Sequence, residues 1–134
     1  FAHPIFSMYH RHGARVYKQL VVNALRLLLP DKLVETNAPT TVHMLLNYQK
    51  PYNRYVLHIL HYVPQRRCEE IDIIEDVIPL YNVEVKVKLS SKPERVYCAP
   101  KGEELDFEYT DGYVKVVVPR VEGHEMVVFE QGVK

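Results

Sequence analysis

The feature that most limits the fold of this chain is a succession of short segments rich in β-branched and aromatic residues, which occupies nearly everything after residue 33. The clearest is YNVEVKVKL (81–89), where Val83, Val85 and Val87 alternate with charged residues. Strict alternation is typical of a strand with one buried and one solvated face. About eight such segments follow one another with turns roughly every 8–12 residues, which predicts a mainly β protein built as an antiparallel β-sandwich.

Two places along the chain have the residues of a turn between paired strands. Residues 40–48 and 54–63 flank QKPYN, so they are predicted to form a hairpin with a longer loop. Asp111-Gly112 lies between two further strand segments, and a two-residue loop there favours a primed turn with Gly112 at positive φ. Residues 68–79, CEEIDIIEDVIP, fit either a helical turn or an irregular strand.

A single amphipathic α-helix is predicted before the sandwich, over residues 14–29, where Pro30 ends it. Its apolar residues cover about half of the circumference, wider than the ~100° stripe of an ordinary surface helix. One sheet is too narrow to bury all the apolar side chains of such a helix. Residues 1–13 contain Pro4 and Gly13 and show no sustained period, so they are predicted to form an extended segment and a loop.

Composition excludes several classes of protein. Lys+Arg and Asp+Glu are both 17, so the chain lacks the positive charge of a nucleic-acid-binding protein. No apolar run reaches the ~20 residues of a membrane span, and residues 1–10 lack the pattern of a signal peptide. Cys68 and Cys98 have no metal-binding spacing. Two free thiols in a reducing compartment is the preferred interpretation, which favours a cytoplasmic protein.

No motif in the sequence indicates a cofactor, a metal or a catalytic nucleophile. There is no phosphate-binding glycine loop and no nucleophile elbow. His10 and His12 would share a face only in an extended segment. His58 and His61, three apart in a predicted strand, should point to opposite faces, one into the core and one to solvent. The acidic residues of 69–76 are interpreted as a solvated loop or sheet rim.

Ten tyrosines and no tryptophan give the chain an unusual aromatic composition. Four of the tyrosines flank the predicted 48–62 hairpin, namely Tyr48, Tyr52, Tyr55 and Tyr62. Tyrosine rings can stack on sugars, so these four are the candidate carbohydrate-binding residues. The alternative is that they pack the sheet and its edges with their hydroxyls in water.

Longer stretches of the sequence resemble a known family. Residues 9–30, Y-x-x-x-G-A-R-V-Y-K-Q-L-V-V-N-A-L-R-L-L-L-P, resemble the last helix of the amidotransferase-like trimerisation domain of beta-galactosidase-related, family 42-like glycoside hydrolases. Residues 33–64 resemble the start of the C-terminal β-sandwich of such enzymes. R-x-x-L-H-x-L-H-Y-V-P-x-R-R and I-E-D-V-I-P-L-Y-N-V-x-V are similar to a subgroup known only as glycosyl hydrolases.

The resemblance implies two parts, with residues 1–30 as the tail of a preceding domain and residues 31–134 as the C-terminal β-sandwich. The family's catalytic carboxylates lie in an N-terminal (β/α)8 barrel that this sequence does not contain, so no catalytic residue is assigned. The leading hypothesis is a non-catalytic accessory domain of a glycoside hydrolase. Its partners would be the enzyme's other domains, or a second copy bound through the helix. The alternatives are a carbohydrate-binding module that uses the hairpin tyrosines and a small independent hydrolase built around His58, His61 and Glu75-Asp76.

Overall fold

The structure is a computed structural model that describes residues 2–132. The chain divides into two compact units, one ending at Lys32 and one beginning at Leu33.

The first unit contains two helices where the sequence predicted one. The additional helix, α1, spans Ile5–His12, so the prediction of an extended segment over residues 1–13 was wrong. Pro4 and Gly13 are the two boundaries of this helix. Pro4 stands at its N-terminal cap, and Gly13 ends it at φ 62° with its N–H donated to the carbonyl of Tyr9. Glycine adopts this left-handed conformation without steric cost, which is why helices commonly end there.

The second helix, α2, spans Arg15–Leu28, close to the predicted range. Leu29 leaves the helical conformation at φ −130° while its N–H still bonds the carbonyl of Leu25. Pro30 follows and cannot continue the helical hydrogen bonds. No residue of α2 is buried. Within the described residues, neither this helix nor α1 has the length and apolar character needed to cross a bilayer.

The second unit is the predicted antiparallel β-sandwich. Its four-stranded sheet, in the order β1-β6-β10-β9, contains β1 (Val34–Thr36), β6 (Leu80–Lys88), β9 (Phe107–Thr110) and β10 (Tyr113–Val121). Its five-stranded sheet, in the order β2-β3-β11-β7-β8, contains β2 (His43–Gln49), β3 (Arg54–His61), β7 (Arg95–Ala99), β8 (Glu103–Glu104) and β11 (Gly123–Glu130). The remaining strands, β4 (Gln65–Arg66) and β5 (Asp72–Ile73), pair only with each other. Of the two structures predicted for residues 68–79, a helical turn or an irregular strand, the chain therefore forms the strand.

The core lies between the two sheets and follows the alternation seen in the sequence. On β6, Val83, Val85 and Val87 are buried, and the charged residues between them point outward. Leu57, Ile59, Val127 and Phe129 of the five-stranded sheet face them and are fully buried. Apolar side chains on the inner faces of both sheets therefore hold the sandwich together.

The turn between β9 and β10 has the predicted geometry. Asp111 has φ 53° and Gly112 has φ 80°, so both central residues are left-handed, as a type I′ turn requires. This turn sets the register in which Tyr113 pairs with Thr110. The prediction of positive φ at Gly112 is confirmed.

Candidate functional site

Two of the four candidate tyrosines lie together at one end of the five-stranded sheet. Tyr48 on β2 is paired in register with Tyr55 on β3, so the two side chains share a face. Their ring centroids are 4.7 Å apart, and the ring planes are tilted by 39°. Tyr48 is exposed, whereas Tyr55 is half-buried against the edge of the core. The pair therefore offers an aromatic surface anchored on its inner side.

A shallow hollow of about 350 Å³ lies beside this pair. Its polar lining includes Asn53, Ser91, Lys92, Glu94 and Gln131. The lining combines amide, hydroxyl, ammonium and carboxylate groups next to aromatic rings, which is chemistry that can bind the hydroxyl groups and apolar faces of a sugar. We call this hollow the tyrosine pocket.

Hydrogen bonds hold the walls of the tyrosine pocket in place. Tyr48 Oη donates to Asn53 Oδ1 over 2.9 Å, and Asn53 Nδ2 donates to the carbonyl of Gly132 over 2.8 Å. Asn53 adopts φ 46°, a left-handed conformation that asparagine tolerates better than most residues. Ser91 Oγ donates to Gln131 Oε1 over 2.5 Å. The loop between β2 and β3, the segment after β6 and the segment after β11 thus meet around one hollow.

The other two candidate tyrosines lie elsewhere. Tyr52 is exposed, and the guanidinium of Arg54 lies 4.7 Å from its ring centroid. Arg54 precedes Tyr55 on β3, so its side chain points to the opposite face of the sheet. Tyr52 is accordingly not among the residues that line the tyrosine pocket.

Tyr62 lies at the far end of β3. It follows Tyr55 by seven residues, and a strand advances ~3.3 Å per residue, which separates the two by roughly 23 Å. Its ring packs over Gly123, at the start of β11. The four tyrosines therefore do not form one platform, because closeness to one hairpin in sequence does not bring residues at opposite ends of a strand together.

The two histidines of β3 have the opposite orientations that the sequence predicted. His61 is only 4% exposed, and both of its ring nitrogens are occupied. Nδ1 donates to the carbonyl of Ile78 over 2.9 Å, which leaves Nε2 to accept from the hydroxyl of Thr41 over 3.1 Å. His58 lies on the other face of the sheet. His61 is therefore a structural core histidine, and it joins β3 to the end of the 62–79 segment.

The acidic stretch does not supply an acid pair for the hydrolase hypothesis. Glu75 and Asp76 are both exposed, and the carboxylate of Glu75 forms an ion pair with Arg67. His58 and His61 face opposite sides of their sheet, so these histidines and carboxylates do not converge on one cleft. His10 and His12 lie two apart in α1, a spacing that puts side chains on different sides of a helix.

The cysteines are both free, and they differ in exposure. Cys68 is exposed and Cys98 is buried. Burial, with smaller effects of the Glu125 and Glu103 carboxylates, raises the pKa of the Cys98 thiol to about 11. A thiol is nucleophilic as the thiolate, so Cys98 is a core residue without nucleophilic character near neutral pH.

Helix α2 carries exposed apolar side chains along one side. Val16, Leu20 and Leu27 project within about 40° of one another around a helix of 3.6 residues per turn. Their exposed fractions are 66%, 43% and 86%. We call these three side chains the α2 apolar face. A contiguous exposed apolar surface of this kind is typical of a site of protein association.

Comparison with known proteins finds that most of the chain is similar to part of a larger enzyme. No family model matches the sequence, and no curated protein matches it either. Among solved structures, it is similar to alpha-L-fucosidase isoenzyme 2 from Paenibacillus thiaminolyticus, with 37% sequence identity and a TM-score of 0.91. The match covers 96% of this chain and 20% of the fucosidase chain.

The chain is related to part of a glycoside hydrolase. At this level, the relationship predicted from the sequence is confirmed. The chain spans about a fifth of the length of that fucosidase.

Sequence reasoning missed most of the tyrosine pocket. Asn53 could have been found, since asparagine in a short loop is a common left-handed residue. Ser91, Glu94 and Gln131 gave no signal, because they reach the pocket from segments about 40 residues apart that only the sandwich topology brings together.

Proposed function

We propose that this chain is a non-catalytic accessory segment of a glycoside hydrolase, and that its α2 apolar face packs against other domains of that enzyme. The observation that carries the proposal is the exposure of Val16, Leu20 and Leu27 on one side of α2. Full burial of one such side chain stabilises a protein by about 1.5–3 kcal/mol. Packing all three against another domain would therefore be strongly favourable. The similarity to one fifth of a longer fucosidase supports the same reading.

The chemistry of the described residues supports a non-catalytic role. His61 and Cys98 are buried in the core, and Glu75 forms an ion pair with Arg67. Glu75 and Asp76, the carboxylates of the hydrolase hypothesis, are neighbours in sequence and both exposed. The resemblance to beta-galactosidase-related enzymes remains a prediction from the sequence, and the comparison points to a fucosidase as the enzyme class to test first.

The packing role is tested by placing a charge on the α2 apolar face. Leu20→Glu should lower the unfolding midpoint of the full-length enzyme, because it buries a charge at a domain contact. In the isolated chain the same change should leave the midpoint nearly unaltered, since Leu20 is already exposed. Gln19→Glu, which adds the same charge on the polar side of the helix, is the matched control. Equal effects of the two substitutions in the full-length enzyme would remove the basis for the packing role.

The isolated chain also allows the non-catalytic role to be tested directly. It should not hydrolyse aryl fucosides or aryl galactosides at any concentration of protein. Turnover that disappears in Glu75→Gln or Asp76→Asn would contradict the proposal.

If the α2 apolar face joins two copies of the isolated chain, sedimentation will show a dimer at high concentration that Leu20→Glu converts to a monomer.

A second candidate function is carbohydrate binding at the tyrosine pocket. It is favoured by the Tyr48–Tyr55 ring pair beside the polar groups of Asn53, Glu94 and Gln131. Fucose, galactose or their oligosaccharides should then shift the NMR signals of Asn53 and Gln131 in the pocket, and Tyr48→Ala should abolish these shifts. Tyr52→Ala is the control, because Tyr52 is more exposed than Tyr48 yet lies outside the pocket. Identical responses in the two variants would rule out the pocket as the binding site.

A further inference from the structure

The outer faces of the two sheets differ in the charge that they carry. On the four-stranded sheet, Glu35, Lys86, Lys115 and Glu108 are in register with one another and form one charged row across all four strands. The carboxylate of Glu84 lies 3.6 Å from the ammonium of Lys115 on the same face. Charged side chains in such numbers are typical of a sheet face that water covers.

The outer face of the five-stranded sheet has rows of side chains without Asp, Glu, Lys or Arg. One row across β2, β3 and β11 consists of His43, Leu60 and His124, and the next consists of Leu45, His58 and Met126. Leu45 is 56% exposed. An apolar residue in that position, with no charged neighbour in its row, is unusual for a face that stays in water.

A third row, formed by Asn47, Val56 and Val128, continues the same surface. Val56 and Val128 are buried, although they do not belong to the core between the sheets. Charged residues begin only at the row beyond, with Arg54 and Glu130. We call the three rows together the neutral sheet face.

The polar groups of the neutral sheet face are partly satisfied within it. Nδ1 of His58 lies 3.0 Å from Nε2 of His124, so the two facing nitrogens share one hydrogen bond. The rings are nearly parallel, with their planes inclined by 16°. Polar groups that are covered in a folded protein keep their hydrogen bonds. A partner can therefore cover this pair at a lower cost in free energy than two histidines without a mutual bond.

The size of the neutral sheet face favours one kind of partner. Ala99 and Tyr97 of β7 extend two of its rows to a fourth strand. Four strands and three rows measure roughly 19 Å by 20 Å, or about 400 Å². Contacts between domains of one chain bury about 300–750 Å² on each side, whereas a stable dimer buries about 600–1,000 Å² on each side. The face is therefore large enough for an interdomain contact and too small to hold a dimer by itself.

We propose that an apolar, uncharged surface of another domain of the same enzyme covers the neutral sheet face in the full-length protein. The inference rests on the proposed function, in which the chain is one segment of a larger glycoside hydrolase, but it uses a different surface from the α2 apolar face. The match covers 20% of the fucosidase chain, so most of such an enzyme lies outside this segment and can supply the partner. A charged partner would lose its hydration and gain no ion pair on this face.

Hydroxyl-radical footprinting read by mass spectrometry tests the assignment without any substitution. Leu45, His124 and Met126 should be oxidised readily in the isolated chain and several-fold more slowly in the full-length enzyme. Tyr113 and Val117 are the internal controls, since they lie on the charged outer face of the other sheet, in register with Lys88 and Glu84. They should react alike in both forms.

Leu20 and Leu27 report on the α2 apolar face in the same data, so the two proposals are read separately. Protection of these leucines together with an unprotected neutral sheet face would overturn the present inference and leave the packing of α2 intact. The reverse pattern would support the inference and remove the packing role of α2. Protection that already appears in the isolated chain as its concentration is raised would identify a second copy as the occupant, which also overturns the inference.

Two matched substitutions give an independent measurement. Leu45→Lys places a charge on the neutral sheet face, and Val117→Lys places the same charge on the other sheet, where Val117 is 44% exposed. In the isolated chain neither should noticeably change the unfolding midpoint, because both side chains are exposed. In the full-length enzyme Leu45→Lys should lower the midpoint by at least about 3 °C, since it buries an ammonium group without a partner, and Val117→Lys should not. Equal midpoints of the two full-length variants would overturn the inference.

Discussion

Replacing Gly123 by alanine tests how β3 and β11 are held together at the end of the strand pair where Tyr62 lies. Gly123 has φ 70°, and a Cβ built there would lie 2.5 Å from Tyr62 Oη and 2.8 Å from Tyr62 Cζ. Such contacts are far inside van der Waals distance, so the tyrosine ring must move. The substitution therefore combines a backbone cost with the loss of a packed ring.

The two costs can be estimated separately. An L-residue in the left-handed region costs roughly 1–2 kcal/mol. Tyr62 is 40% exposed, and driving its ring into water forfeits up to roughly 2 kcal/mol of apolar burial. Gly123→Ala should thus lower the free energy of unfolding by up to about 3–4 kcal/mol.

Gly112 supplies the matched comparison. Its φ is 80°, but the nearest atom to an added Cβ is the Leu89 carbonyl oxygen at 3.8 Å. Gly112→Ala should therefore show only the backbone cost, about 1–2 kcal/mol. Urea unfolding followed by circular dichroism at the β-sheet band measures both variants.

A double-mutant cycle isolates the ring contribution. In a Tyr62→Ala background, Gly123→Ala should cost no more than Gly112→Ala, and the coupling energy should be about 2 kcal/mol. Equal destabilisation by Gly123→Ala and Gly112→Ala in the parent chain, or a coupling energy near zero, would refute the packing of Tyr62 over Gly123.

Three further predictions concern the buried polar and thiol groups. Burial raises the pKa of Cys98 from its ordinary value of 9.0 to about 11, so the neutral thiol contributes stability that is complete below pH 9 and is lost as the pH rises towards 11. Cys98→Ala should therefore flatten the curve of unfolding free energy against pH between these two values. An unchanged slope would contradict the prediction. Iodoacetamide at neutral pH should label the exposed Cys68 and spare Cys98 until the chain unfolds, as peptide mapping would show. His61→Ala should destabilise by on the order of 2 kcal/mol and speed hydrogen exchange in residues 62–79, because the bond from His61 Nδ1 to the Ile78 carbonyl is lost. His43→Ala, on an exposed position, should do neither.

The strands and their faces could be predicted from local sequence. The alternation of Val83, Val85 and Val87 with charged residues determines which face of β6 is buried, whatever lies opposite. Asp111-Gly112 specifies its own turn, since few other residue pairs adopt positive φ twice in succession. The spacing of His58 and His61 likewise determined that one would enter the core. These features depend on a repeat or a backbone preference that neighbouring residues carry by themselves.

The boundaries of α1 show where local signals are ambiguous. Pro4 and Gly13 interrupt a helix when they lie inside it and delimit one when they lie at its ends. The eight residues between them are too few to form a stable helix in isolation, so their helical state depends on tertiary packing. The sequence pattern alone therefore did not distinguish an extended segment from a short capped helix.

Only the tertiary structure decided which chemical groups meet. Tyr48 and Tyr55 come together because of hairpin register, whereas Tyr62 is carried to the other end of the same strand. His58 meets His124, 66 residues away, because β11 pairs with β3. Gln131 reaches Ser91 for a similar reason. Strand order and register determine such contacts, and they result from how the whole core packs, which no short stretch of sequence contains.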